Sequence, residues 1–273
     1  MRNSIPISKQ HQEFLKRVRL RKALILSAQL IILVAFFTLW EIFADLKIID
    51  PFITSQPARM LKTLGNLYHE GRLFYHIWVT CYETVVGFLF GTIFGTVVAV
   101  VLWWSEFLAK ALEPYLVVLN SLPKIALGPI FIVWIGPGPA SIIVIALTIS
   151  LIVTILEVLN GFLAVDQDKI KLVKTFGANR FQVLIKVVLP SSFPVIINAF
   201  KINVGLSWVG VIVGEFLVSK AGLGYLIVYG GQVFQLDLVM TSVMILGAAA
   251  ALMYQGVVYL EKLLMKNGRY TSL

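Results

Sequence analysis

Apolar residues gather into six long runs, at roughly 24–44, 82–104, 112–135, 140–163, 193–218 and 238–264. Each approaches the ~20 residues that cross a bilayer as a helix. Lipid offers no water to an exposed peptide group, so every run must bond its own backbone. The pattern predicts an all-α membrane protein of six transmembrane helices. Two polar stretches stand between the runs, 45–81 and 164–192, and a basic segment precedes the first.

Composition supports this class: 59% of the 273 residues are hydrophobic, 14% are charged, and the mean hydropathy is +0.89. Soluble domains hold nearer a quarter charged residues. The net charge of +9 does not point to nucleic acid, because the basic residues concentrate at the N-terminus and beside the apolar runs. The first run follows Lys16, Arg17, Arg19, Arg21 and Lys22. It exceeds a signal peptide's apolar core and lacks a small-x-small cleavage site, so it reads as a retained span. The chain divides into a basic N-terminus (1–23), a membrane domain (24–264) and a short tail (265–273).

Sidedness follows from the lysines and arginines. An N-terminus inside the cell also places 164–192 inside, with Lys169, Lys171, Lys174, Arg180 and Lys186. The tail follows with Lys262, Lys266 and Arg269. Segment 45–81 and the uncharged "GPGP" at 136–139 then face outward. In 45–81, Ser55 is expected to cap a short helix with Pro57 in its first turn. Met60, Leu61, Leu64, Leu67 and Tyr68 form its apolar face, suited to the membrane surface or to packing on the bundle.

Enzymatic signatures are missing. No phosphate-binding G-x-x-x-x-G-K-[ST] loop occurs, and His11, His69, His76 and the single Cys81 have no metal-ligand spacing. No disulfide within the chain is possible. Gly87, Gly91 and Gly95 recur every four residues and predict close helix packing. Gly210 and Gly214 repeat the idea in the fifth run.

The third run, "NSLPKIALGP", carries Asn120, Ser121, Pro123, Lys124, Gly128 and Pro129 within apolar surroundings. Two prolines predict a broken helix, which survives at membrane depth only inside protein or beside water. Lys124 is costly there unless it snorkels, pairs or faces a pathway. Asn203, Ser207, Trp208 and Glu215 in the fifth run are possible complements, and the set defines a candidate translocation path. The alternative reading leaves Lys124 at an interface, with Glu157 and Glu215 near helix ends.

Segment 164–192 predicts two short helices. Asp166 or Asp168 starts the first and Gly177 ends it in a left-handed turn. Asn179 with Gln182 three residues on predicts a capping box for the second, and Pro190 is expected to stop it. Ile170, Val173, Phe176 and Phe181 supply apolar knobs rimmed by lysines, a surface for a cytoplasmic protein partner.

This segment resembles the coupling loop of ABC-importer permeases of the binding-protein-dependent type, E-A-A, three residues, G, about nine residues, then I-x-L-P. Gly177-Ala178 and Val187-Val188-Leu189-Pro190 occupy the later positions, while Lys171-Leu172-Val173 stands where E-A-A is expected. "SQPARMLKTL", "LEPYLVVLNSLPKIALGPIFIVWIG", "LSWVGVIVGEFL" and "AGLGYLI" are similar, in order, to blocks of the taurine, alkanesulfonate and nitrate branch. The resemblance implies a type I importer fold with a cytoplasmic coupling helix. It also implies two separate ATPase subunits that bind ATP and magnesium, an extracytoplasmic solute-binding protein, and a homodimer or heterodimer of permeases. No cofactor is expected on this chain itself. Coupling then falls to Lys171, Lys174, Phe176, Gly177, Ala178, Asn179, Phe181 and Pro190, in a bacterial inner membrane with both termini cytoplasmic. The favoured cargo is a small anion such as a sulfonate or nitrate. The rival functions are an ion-gradient-driven transporter and a channel, although the two halves lack the interrupted-helix repeat expected of the former.

Overall fold

A computed structural model describes residues 9–266, and the elements among them are helical. Residues 1–8 and 267–273, including Arg269 of the tail, lie outside the described residues. In chain order the helices are α1 (Lys9–Asp45), α2 (Pro51–Thr54), α3 (Pro57–His69), α4 (Leu73–Trp104) and α5 (Glu106–Ser121). A 3₁₀ turn (Lys124–Leu127) leads to α6 (Gly128–Ile135), α7 (Pro139–Leu163), α8 (Gln167–Thr175) and α9 (Arg180–Val183). A π turn (Leu184–Val188) then joins α10 (Leu189–Val218), followed by α11 (Leu223–Gln232) and α12 (Leu236–Lys266).

Among the described residues five helices are long and apolar enough to cross a membrane, and α5 with α6 makes a sixth span bent by 86°. The break expected at the two prolines of the third run is therefore present. Pro123 lacks an N–H and disfavours helical backbone in the residue before it, so α5 stops at Ser121.

Helix α7 is the centre of the bundle because small residues let two neighbours approach it closely. Ala146, Ser150 and Thr154 repeat every four residues and face Gly87, Gly91 and Gly95 of α4. A methyl group on Gly87 would lie 2.9 Å from the Ala146 Cβ. On the other side Gly210 of α10 rests on the Ala146 backbone and Gly214 on Ile142. Without a hydrophobic drive between helices in lipid, this backbone approach supplies the van der Waals contact that holds the three together.

The two ends of the bundle have separate apolar clusters. At the α8 end, Leu102, Leu116, Phe162, Val165, Ile170 and Val183 pack together. At the opposite end Leu67, Leu73, Leu223, Leu226 and Leu238 join α3, α4, α11 and α12. Along the side, Lys201 of α10 and Glu261 of α12 form a 2.7 Å ion pair, each side chain about a fifth exposed.

Two details depart from the sequence expectation, and a third settles an alternative it left open. Pro190 does not end the second helix of 164–192: a continuous helical rod runs from Arg180 to Val218. The π turn explains it, since the Leu189 N–H donates to the Leu184 carbonyl five residues back. The wider turn relieves the clash between a proline ring and the carbonyl four residues before it. Second, Ser55 does not cap α3. It adopts φ 58° and its Oγ donates to Asp237 at 2.7 Å, leaving Gln56 at the N-cap position without a side-chain bond. Third, α3 packs on the bundle through Met60 and Leu67, with Leu61 and Tyr68 exposed.

Candidate functional site

At the α8 end the local chemistry is well determined. Asp166 caps α8 by accepting from the Asp168 N–H at 2.9 Å. The helix ends at Gly177 with φ 82°, where the Gly177 N–H donates to the Lys174 carbonyl and the Ala178 N–H to the Val173 carbonyl. This paired closure needs a left-handed residue, a conformation that side chains with a Cβ resist. Asn179 and Gln182 then form both bonds of the capping box, at 2.8 and 2.9 Å.

Ile170 is buried in the α8-end cluster and Val173 packs against it, whereas Phe176 is 83% and Phe181 60% exposed. The two phenylalanines flank the Gly177 turn on a surface that also exposes Lys171 and Lys174. Lys171, in place of the expected Glu, pairs with Asp168 at 3.2 Å. The sequence reading missed the role of Arg180. Its guanidinium lies 5.7 and 5.8 Å from the rings of Trp103 and Trp104 and bonds the Trp103 carbonyl. It therefore ties the start of the rod to the end of α4.

The structure divides the candidate path residues into two groups. Asn120 and Ser121 are exposed at the end of α5, and Lys124 donates to the Asn120 carbonyl at 2.9 Å and to its side chain at 3.3 Å. Lys124 thereby satisfies a carbonyl that the broken helix leaves orphaned. The fifth-run residues are not its complements. Asn203 is fully buried and donates to Thr154 of α7 and Thr92 of α4, bridging three helices. Ser207 is fully buried, and Trp208 packs with Phe88, Val204 and Val257. These positions share one cause: Gly210 and Gly214 let α10 lie directly on α7, the central helix, at Ala146 and Ile142.

Glu215 is 1% exposed and belongs to a polar cluster near the end opposite α8. It accepts from the Thr80 hydroxyl at 2.7 Å and from the Gly224 N–H. The Leu223 N–H donates to Thr80 at 2.7 Å and the Gly222 N–H to His76 Nδ1 at 3.0 Å. Three successive N–H groups at the start of α11 are thus received by α4 and α10. Gly222 and Gly224 are required there, because a Cβ on either would strike the Glu215 side chain. Glu83, absent from the sequence-derived set, lies against Glu215 and is also 1% exposed. A carboxylate inside an apolar run is the signal that could have found it.

Residues 91–265 match the family described as binding-protein-dependent transport system inner membrane component. A Bacillus subtilis protein, provisionally named an aliphatic sulfonates transport permease, is 27% identical over 92% of this chain and 89% of its own length. The taurine transport system permease protein of Escherichia coli is 24% identical over 84% of this chain and 86% of its own. The riboflavin transport system permease protein of Chloroflexus aurantiacus is 26% identical over 89% and 90%. A chain of the MetNI methionine ABC transporter, solved in inward-facing conformations, superposes with a TM-score of 0.53 at 22% identity. That match covers 67% of this chain and 94% of the other.

Proposed function

The chain belongs to the binding-protein-dependent transport inner membrane component family, and from that premise we propose that it forms the path for a small sulfonate-like anion. It is the membrane permease of an ABC importer rather than an enzyme; in this family ATP hydrolysis is the work of a separate subunit. The sulfonate and taurine relatives support the cargo class, and a basic Lys124 beside the break in the third span suits an anion.

In this reading the α8 end faces the cytoplasm, both termini lie on that side, and the membrane is a bacterial inner membrane. The ATPase docks on Phe176 and Phe181, with Lys171 and Lys174 around them and Gly177-Ala178-Asn179 holding the bend. Pro190 lies within the rod rather than at its end. A solute-binding protein delivers cargo to the opposite face, and a second copy of the chain completes the path with Asn120, Ser121 and Lys124 facing it.

The observation that carries the proposal is mechanical. The exposed aromatic turn at Phe176–Phe181 is joined without a break, from Arg180 to Val218, to α10, which packs on the central helix α7. A displacement of the turn therefore reaches α10 and, through Glu215, the start of α11. The test is co-purification of the ATPase with the chain and with the F176D/F181D variant. Wild-type recovery with both would overturn the docking site; loss of ATPase with the variant present in the membrane supports it.

A further inference from the structure

The surface around the Gly177 turn is cationic as well as aromatic. Between residues 164 and 190 the chain carries Lys169, Lys171, Lys174, Arg180 and Lys186 against Asp166 and Asp168. Lys171, Lys174, Arg180 and Lys186 are all exposed. Both acids are already engaged, since Asp166 caps α8 and Asp168 pairs with Lys171. Glu106, near Arg180 at the start of α5, pairs with Lys110 at 2.8 Å. The segment therefore presents positive charge that its own acids do not balance.

Two of these cations have a local use. Lys174 stands in the last turn of α8, where a cation opposes the negative helix end. Arg180 lies over Trp103 and Trp104. Lys171 is different, for it sits in the middle of α8. The side chains of Lys171 and Asp168 are 74% and 87% exposed, so their 3.2 Å pair contributes little and is readily exchanged. Leu172 beside it and Phe176 one turn on are exposed too, which places the Lys171 ammonium group at the border of the apolar docking surface. Lys171 also stands where the E-A-A pattern has its glutamate. A partner that recognises a glutamate there offers donors or positive charge, and such a surface repels a lysine.

We propose that Lys171 meets a carboxylate of the ATPase, a contact of opposite polarity to the E-A-A type. The inference rests on the docking of the ATPase at Phe176 and Phe181 and names the chemistry of the partner's groove. That groove has an apolar floor for the two rings and an acidic side chain at the edge facing α8. On docking, the Lys171 ammonium group exchanges Asp168 for the partner's carboxylate, where the partner excludes water and a charge-assisted hydrogen bond is stronger. The contact also selects the partner. An ATPase built to receive a glutamate sets like charges together and is rejected.

The test treats the full chain and its co-purified ATPase, in lipid nanodiscs, with a carbodiimide, which joins an amine directly to a carboxyl group in contact with it. Mass spectrometry is expected to find the Lys171 peptide linked to an Asp- or Glu-containing peptide of the ATPase, a product absent from K171Q. Retention of the ATPase on dilution is expected to fall roughly tenfold in K171E and to hold in D168N, which only frees Lys171. A Lys171 that links to no carboxyl group of the ATPase would overturn the proposal. Equal losses in D168N and K171E would also overturn it, since Lys171 would then serve α8 alone. So would full retention in K171E, the result expected of a lysine that faces lipid headgroups. The cross-link in the unaltered protein does not depend on how any variant folds. Failure of the docking reading itself shows separately, as full recovery of the ATPase with F176D/F181D.

Discussion

Substituting Gly177 isolates the backbone's part in coupling, because the surroundings contribute nothing to the outcome. Gly177 has φ 82°, and a Cβ built on it meets no atom within 4 Å. A substitution there is a conformational perturbation without a clash. An L-residue in the left-handed region loses about 1–2 kcal/mol, and a β-branched residue falls at or beyond the upper end. Two kcal/mol is a factor of roughly 30 in the population of the observed turn. G177V is therefore expected to depopulate the geometry that presents Phe176 and Phe181 together, while G177A does so by roughly fivefold. Asn tolerates the left-handed region, so G177N is expected to stay closest to the unaltered protein. The readout is ATP hydrolysis stimulated by loaded binding protein, in the order Gly, Asn, Ala, Val. Membrane insertion and the melting temperature of the spans should change little, since α8 lies outside them. Unaltered coupling in G177V, or equal loss in G177N and G177V, would refute the hinge.

Further substitutions probe the bundle. G91V places its branch on Ser150 and is expected to lower stability in detergent by about 1–3 kcal/mol, read as a melting shift. G247A, on a helix face with open space, should be neutral or slightly stabilising. T80V leaves Glu215 and the Leu223 N–H each short of a partner. A loss of about 1–3 kcal/mol per orphaned group is expected, with faster hydrogen exchange at the start of α11. R180A removes the contacts to Trp103 and Trp104, worth about 0.5–1 kcal/mol at an exposed site. It should loosen coupling more than it lowers melting temperature, and the reverse outcome would argue against a tie between rod and α4.

Local chemistry was the most legible part of the chain. The capping box at Asn179 and Gln182, the left-handed turn at Gly177 and the break near Pro123 each depend on a few neighbouring residues, and each is present. Pro190 misled for the same reason. Its local rule was sound, but the π turn at Leu184–Val188 absorbs the misfit and the bundle keeps the rod continuous. The path residues required knowledge of which helix faces which. Ala146, Ser150 and Thr154 look like ordinary span residues until the glycines of α4 are seen against them. Once α7 occupies the centre, Asn203 turns toward α4 and α7, and Glu215 toward α4 and α11, rather than toward Lys124. Glu83 stands near the start of an apolar run, and only the packing of α4 against α10 shows that it is buried beside Glu215.

The most direct test of the account is solute uptake into proteoliposomes holding the chain with its co-purified ATPase, supplied with the binding protein and an amino- or alkyl-sulfonate. ATP sealed inside is expected to drive accumulation with all ion gradients collapsed, and F176D/F181D to abolish it. Accumulation driven by an ion gradient without ATP, unaffected by F176D/F181D, would contradict the account.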